Sequence, residues 1–280
     1  MSAPGAVSVT AIMRIVFGRR RGGRFIAVLG AFFDDSGTHD DSSLVVIGGL
    51  LGTEEQWDAF EADWTSRLAN PLPDKPLLKQ FHLSACRARR GEFYGYTQAE
   101  ADHLTYLFRR IIIDTGLVTI AIAANRVAWD ELVIGDARQQ LGEPIEYCFA
   151  KCVEETINTI RFRKPGEQVS IFLDAATKPS LGVWADMFKM MSAHYPELAQ
   201  FGFAPVEKVV ALQGADMIAT ETYQYNLRWL VDRDAATPNP HFREFMEREL
   251  TVGRILDREH IEEIVSRFRA SATTFAQRPS

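Results

Sequence analysis

The hydrophobic pattern along the chain changes its period repeatedly, and each change predicts an element. Residues 25–34 (FIAVLGAFFD) and 44–51 (LVVIGGLL) are apolar, β-rich runs separated by the polar stretch Ser36 to Ser43, which predicts two adjacent antiparallel strands. Trp57, Phe60, Trp64 and Leu68 then recur at helical spacing behind a Thr53/Gln56 capping box. This predicts an amphipathic helix over 54–68, ended by Pro71, Pro73 and Pro76. After an irregular stretch, Thr97 with Glu100 caps a second helix whose apolar face is Leu104, Leu107, Phe108, Ile111 and Ile112, closed by Gly116.

The second half alternates more evenly. Residues 117–124 (LVTIAIAA) read as a buried strand, and Pro144 opens a helix running to about Phe162. A strand over 168–174 (QVSIFLD), a helix over 181–194, a strand over 206–212 (VEKVVAL) and a helix from Gly214 to Leu230 follow. Two charged helices, near 241–249 and 257–269, finish the chain as a peripheral cap. A hairpin followed by helices alternating with strands predicts an α/β fold: a mixed sheet, antiparallel first and then parallel, flanked by helices on both faces. Residues 1 to about 24 are expected to be a disordered extension, 25–232 the main domain and 233–280 the helical cap.

Composition narrows the picture without naming a function. With 280 residues, 46% hydrophobic and 24% charged, the chain can bury a core without disulfide staples, so a metal would serve chemistry rather than folding. Lys plus Arg number 31 against 37 Asp plus Glu, a net charge of -6 that does not by itself advertise nucleic-acid binding. Local basic runs at Arg87, Arg89 and Arg90, and at Arg161, Arg163 and Lys164, can be either phosphate contacts or ordinary solvated faces. Three cysteines with no thiolate pair at metal spacing point to a reducing cytoplasm, and no apolar run approaches membrane-spanning length. Trp57, Trp64, Trp184 and Trp229 sit in helical patterns and are expected in the core rather than in base stacking.

Candidate chemistry gathers at strand ends, where ligand crevices of such sheets lie. Asp34 and Asp35 end the first strand in Phe33-Asp34-Asp35-Ser36-Gly37. Alternation puts them on opposite faces, with Asp34 the better inward carboxylate; the competing reading is turn chemistry. Asp174 ends the strand over 168–174, with a loop-starting aspartate as the competing reading; Asp216 follows Gln213 by three residues where a helix begins, so that both share a face if both are helical, with an acid favoured simply by the helix macrodipole as the competing reading. Hard divalent cations take oxygen ligands from a few such carboxylates. Two ions held about 3.5–4 Å apart can activate water and stabilise the leaving oxygen of a phosphodiester.

These same segments resemble an uncharacterised prokaryotic family, domain of unknown function 3800. The resemblance rests on the Asp34-Asp35-Ser36-Gly37 strand end, the following Gly-Gly strand, Phe81-His82 before Gly91-Glu92-Phe93, the Asp174 strand, and Leu212-Gln213-Gly214-Ala215-Asp216. Family members usually read Asp-Glu-Ser-Gly early and Leu-Gln-x-Ala-Asp late, and the match spans about residues 28–230. The resemblance implies an RNase H-like fold with Asp34, Asp174 and Asp216 as ligands of Mg²⁺ or Mn²⁺. Asp35 stands where the family has Glu, leaving open whether it binds metal or braces the turn. His82 would contact a phosphate or shuttle a proton, with a core or turn role as its alternative, and Gln213 would orient a ligand or water. Glu221, roughly 140° around the helix from Asp216, stays outside this set.

The reading that follows is a divalent-metal-dependent nuclease acting on DNA or RNA. Its alternatives are a non-catalytic nucleic-acid or protein-binding module and a metal phosphohydrolase acting on small phosphoesters. A protein partner or an oligomer is left open.

Overall fold

The computed structural model describes Ser8, Val9 and residues 28–175, 181–233 and 240–276. Its strands are β1 (Val28–Ser36), β2 (Leu44–Gly52), β3 (Val118–Asn125), β4 (Gln168–Asp174), β5 (Leu198–Ala204) and β6 (Thr251–Leu256). They form one sheet in the order β5-β4-β1-β2-β3-β6. β1, β2 and β3 are joined antiparallel in sequence, while β4 runs parallel to β1, β5 parallel to β4 and β6 parallel to β3. This is the mixed α/β arrangement expected from the sequence, with an antiparallel hairpin first and parallel strands after it.

Helices cover both faces. One carries α1 (Glu54–Ala69), α2 (Leu83–Ala88), α3 (Gln98–Asp114) and α8 (Val210–Val231), packed with Phe32, Leu50, Ala121 and Phe172 of the sheet. The other carries α4 (Arg126–Leu132), α5 (Asp136–Leu141), α6 (Pro144–Arg163) and α7 (Leu181–Ser192), packed with Phe33, Ile47, Ile122 and Ile171. Adjacent residues of one strand thus serve opposite cores, as the two-residue period of a strand requires. α9 (Pro240–Met246) joins the first face and α10 (Arg258–Ala276) the second. Both predicted capping boxes are formed: Thr53 with Gln56 opens α1, and Thr97 with Glu100 opens α3. Among the described residues no helix is long and apolar enough to cross a membrane.

Several expectations change. Residues 206–212 are not a strand; the edge strand is β5 at Leu198–Ala204, and Val210–Leu212 already belong to α8. α8 is buried on nearly every side from Val210 to Thr222, so its β-branched start reflects a helix immersed in the core rather than a strand. The C-terminal segment is not helices alone, because β6 pairs with β3 and extends the sheet. α2, α4 and α5 are further helices that the sequence pattern did not single out. Most of the expected N-terminal extension lies outside the described residues, but Ser8 and Val9 dock on α1, donating to Glu61 Oε2 at 3.0 and 2.9 Å. Trp57, Trp64 and Trp184 are fully buried, whereas Trp229 is half-exposed and stacks against the Arg233 guanidinium.

Candidate active site

The ends of two parallel strands bring the first carboxylates together. β1 and β4 are in register through Phe32↔Phe172 and Phe33↔Leu173. The Phe32 and Phe172 rings stack at 4.9 Å beneath α1 and α8. Asp34 and Asp174 follow these pairs by two residues, so strand alternation places both on the face covered by α8. Asp35, by the same rule, starts on the other face.

Asp216 comes down onto this face from α8, and the close approach is made possible by Gly48. This glycine lies directly opposite Asp34 in the β1–β2 register. A Cβ there would stand 2.6 Å from the backbone nitrogen of Ala219 and 2.7 Å from its Cα, closer than real atoms approach. The helix therefore rests on the bare backbone of β2 beside Asp34.

The electrostatics reflect this convergence. Burial holds the Asp34 carboxyl well above the usual carboxylate range, and the charges of Asp216, Asp35 and Asp174 push it in the same direction, opposed by the Asp35 N–H. Asp34 Oδ1 accepts that N–H at 2.8 Å. Burial also raises Asp216, while His82, the Leu83 N–H and the Thr220 hydroxyl pull it back down. Asp174 Oδ1 accepts the Val206 N–H at 3.1 Å, fixing the chain beyond β5. Asp35 Oδ2 accepts the Thr38 hydroxyl at 2.6 Å, which is the turn-bracing role.

His82 precedes α2 and is 45% exposed at its side chain, with Nε2 3.8 Å from Asp216 Oδ1 and Nδ1 3.0 Å from Ser84 Oγ. Gln213 works differently from the sequence expectation. Its Oε1 accepts the Trp64 indole N–H at 3.0 Å and the Phe81 backbone N–H at 2.9 Å, and its Nε2 donates to Val206 O at 3.4 Å. Buried to 1% exposure, it positions the segment that carries His82 rather than facing a crevice.

Oxygen donors from β1, β4 and α8 are the kind a hard divalent cation takes, and their mutual repulsion is the kind a cation relieves. In this respect the residues fit such an ion. Among the described residues no three His, Cys, Asp or Glu are grouped so as to hold a metal ion as they stand, while the charges of Asp216, Asp35 and Asp174 are all felt at Asp34. Like charges remain apart until something neutralises them.

The sequence reading missed a neighbouring ionic group. Glu221, 3% exposed on α8, accepts from Arg109 Nη2 of α3 and from Arg87 Nη2 of α2, the latter at 2.7 Å. A visible signal was there: Arg109 falls in the apolar stripe of α3 beside Phe108 and Ile112, where a charge requires a buried partner. A cavity of about 370 Å³ between α8, α9 and β6, lined by Trp229, Phe242 and Phe245 among others, touches none of the sequence-predicted site residues.

No known family profile matches the sequence, and no curated protein matches it. Among the solved structures that are similar are two of one protein. Bst-RNase HIII in complex with Mn²⁺ aligns over 85% of this chain with 11% identity and a TM-score of 0.41. A mutant of Bst-RNase HIII aligns over 91% with 12% identity and a TM-score of 0.38. The chain spans 65% of the length of the first and 71% of the second.

Proposed function

We propose that this protein is a metal-dependent nuclease in which Asp34, Asp174 and Asp216 hold Mg²⁺ or Mn²⁺ and a nucleic-acid strand is cut at their face of the sheet. The observation that carries this reading is the convergence of carboxylates from three separate elements on one face, with Asp34 raised by burial and by the other charges. A folding core gains nothing from such an arrangement, since burying like charges together is costly. A divalent ion there would supply an activated water and charge stabilisation for the leaving oxygen of a phosphodiester.

The residues of the chain supply the rest. Asp34 and Asp174 present oxygens from the rigid ends of β1 and β4, and Asp216 completes the set from the first turns of α8. When Nδ1 of His82 accepts the Ser84 hydroxyl, the imidazole proton stands at Nε2, beside Asp216. From there the Nε2–H would donate a hydrogen bond to a phosphate oxygen; only the imidazolium, with Nδ1 then donating to Ser84 Oγ, would have a proton to give to a leaving oxygen. Asp35, bonded to Thr38, would fix the turn behind Asp34 and add negative charge to the site. The three cysteines are free, buried thiols, which supports a reducing compartment such as the cytoplasm.

The test is incubation of wild type and Asp174→Asn with labelled single- and double-stranded DNA and RNA, in Mg²⁺, Mn²⁺ or chelator. Cleavage that needs the ion and is lost in the variant is expected. Metal-independent cleavage, or none on any polymer, would sink the proposal.

A further inference from the structure

α2 links the carboxylates to a second polar feature. At its start, the Leu83 N–H donates to Asp216 at 3.3 Å; near its end, Arg87 donates to Glu221 and to Gln224 on α8. His82 and Arg87 are five residues apart, about 7.5 Å along a helix axis. Beyond Arg87 a cleft of about 420 Å³ opens, lined by Arg87, Glu221, Gln224, Leu227 and Arg228.

The charge balance of this cleft is positive. Among the described residues that line it Glu221 is the one carboxylate, and it is shared by two guanidinia, the buried Arg109 behind and the rim residue Arg87 in front. One negative charge cannot neutralise both. The surplus of donors shows again at Arg109 Nε, which is buried with no hydrogen-bond partner. Arg228 adds a further exposed guanidinium, whose Nε donates to the Gln224 carbonyl of its own helix at 3.2 Å. Arg89 and Arg90, both exposed, follow directly after α2. A carboxylate placed to hold a guanidinium at a cleft rim, with net positive charge left over, is suited to an anion.

We infer that the Arg87–Gln224–Arg228 cleft is a phosphate subsite that grips the nucleic-acid backbone away from the point of cleavage. This inference rests on the nuclease reading and names its substrate as a polymer. With phosphates rising about 3.4 Å per nucleotide along a stacked strand, the offset along α2 corresponds to roughly two nucleotides. A mononucleotide bound at the carboxylates would not reach the cleft; a strand would. Arg87 is held in place before the strand arrives, so less side-chain freedom is lost on binding.

The test is binding of labelled single-stranded DNA and RNA of about 16 nucleotides to the full chain, in chelator and in Mg²⁺, across roughly 50 to 200 mM salt. Wild type is compared with Arg87→Ala, Arg228→Ala and the double variant. Each single change should weaken binding several-fold and the pair about tenfold or more, with the salt slope falling by about 0.7 for each contact removed. Should Arg87→Ala fail to fold, Arg228→Ala on the exposed face carries the test, and Arg228→Lys should restore part of the affinity. Unchanged affinity and slope in folded variants overturn the subsite, as does absence of salt-dependent binding by wild type. Ion-dependent cleavage that Asp174→Asn abolishes but Arg228→Ala leaves intact would remove the subsite and keep the nuclease. Arginine-dependent binding without cleavage would do the reverse.

Discussion

Asp216 holds both the side chain and the backbone of the His82 segment: Oδ1 stands 3.8 Å from His82 Nε2, and Oδ2 accepts the Leu83 N–H at 3.3 Å. One helical turn earlier, Gln213 accepts the N–H of Phe81 at 2.9 Å. The residues on either side of His82 are therefore clamped by two side chains of a single buried helix. Such a clamp fixes a half-exposed imidazole without a packed environment of its own, and it makes the placement of His82 depend on where α8 lies over the sheet.

Gln213→Leu tests the clamp. The substitution keeps the size of the side chain and removes the acceptor of two buried donors, the Trp64 indole N–H and the Phe81 N–H. Each orphaned donor costs roughly 1–3 kcal/mol, so a loss of about 2–6 kcal/mol is expected in urea unfolding. A variant as stable as wild type would show that these bonds are replaced.

Asp34→Asn tests the crowding of carboxylates. Because the folded state raises the Asp34 pKa, it binds this proton more tightly than the unfolded chain does. Stability from this group is therefore greatest below the ordinary carboxylate pKa, and it falls as pH rises from there through the raised folded value. Asn cannot ionise and still offers an oxygen to the Asp35 N–H. In chelator, the melting temperature of the variant should exceed that of wild type at neutral pH, with the gap closing towards pH 4. Thermal melts across that range decide it, and a variant that melts below wild type at neutral pH contradicts burial and like-charge repulsion as the origin of the raised pKa.

Much of this site was legible in the sequence, for a physical reason. Asp34 and Asp174 each end an apolar run, and strand alternation alone then says which face they occupy. Asp216 was legible from a motif, although its helix starts at Val210 rather than at Gly214. The elements that escaped are those whose pattern is set by tertiary context. β6 reads TVGRIL and is half-exposed at the sheet edge, so it shows neither a buried run nor clean alternation. β5, LAQFGFA, carries Gln200 and Gly202, while the more β-branched VEKVVAL beside it ends in a helix whose first half is buried on nearly every side. Periodicity is lost where a helical stretch has no solvent face, and α8 from Val210 to Thr222 is such a stretch. The role of Gln213 escaped because its partners, Trp64 and Phe81, lie 149 and 132 residues away.

Gly48→Ala separates packing from chemistry. The added Cβ meets the backbone of α8 at Ala219, which no rotamer change can relieve. Either the helix lifts from β2 or the sheet bends, at an expected cost of about 1–3 kcal/mol by analogy with overpacked cores. Because Gly48 sits opposite Asp34, the same shift should draw Asp216 away from its neighbours and lessen the repulsion among the carboxylates. The Asp34→Asn gain in chelator should therefore be smaller in the Gly48→Ala background. Additive effects in this double-mutant cycle would mean that the two carboxylates are not coupled through the seat of α8.

Ion binding should reverse the sign of the Asp34 effect. A ligand that binds only the folded state stabilises it by about 2.7 kcal/mol at a hundredfold excess over its dissociation constant. At about 2–4 °C per kcal/mol for a chain of this order of size, wild type should then melt about 5–10 °C higher with saturating Mn²⁺ than in chelator. Asp34→Asn, Asp174→Asn and Asp216→Asn each remove an oxygen charge from the proposed set and should flatten this response. For Asp34→Asn the outcome is distinctive, since the variant should be the more stable protein in chelator and the less stable one in Mn²⁺. Calorimetric scans of wild type and the three variants with and without the ion measure it directly. If wild type gains no stability from Mn²⁺ or Mg²⁺, the carboxylates repel one another for some purpose other than holding a cation.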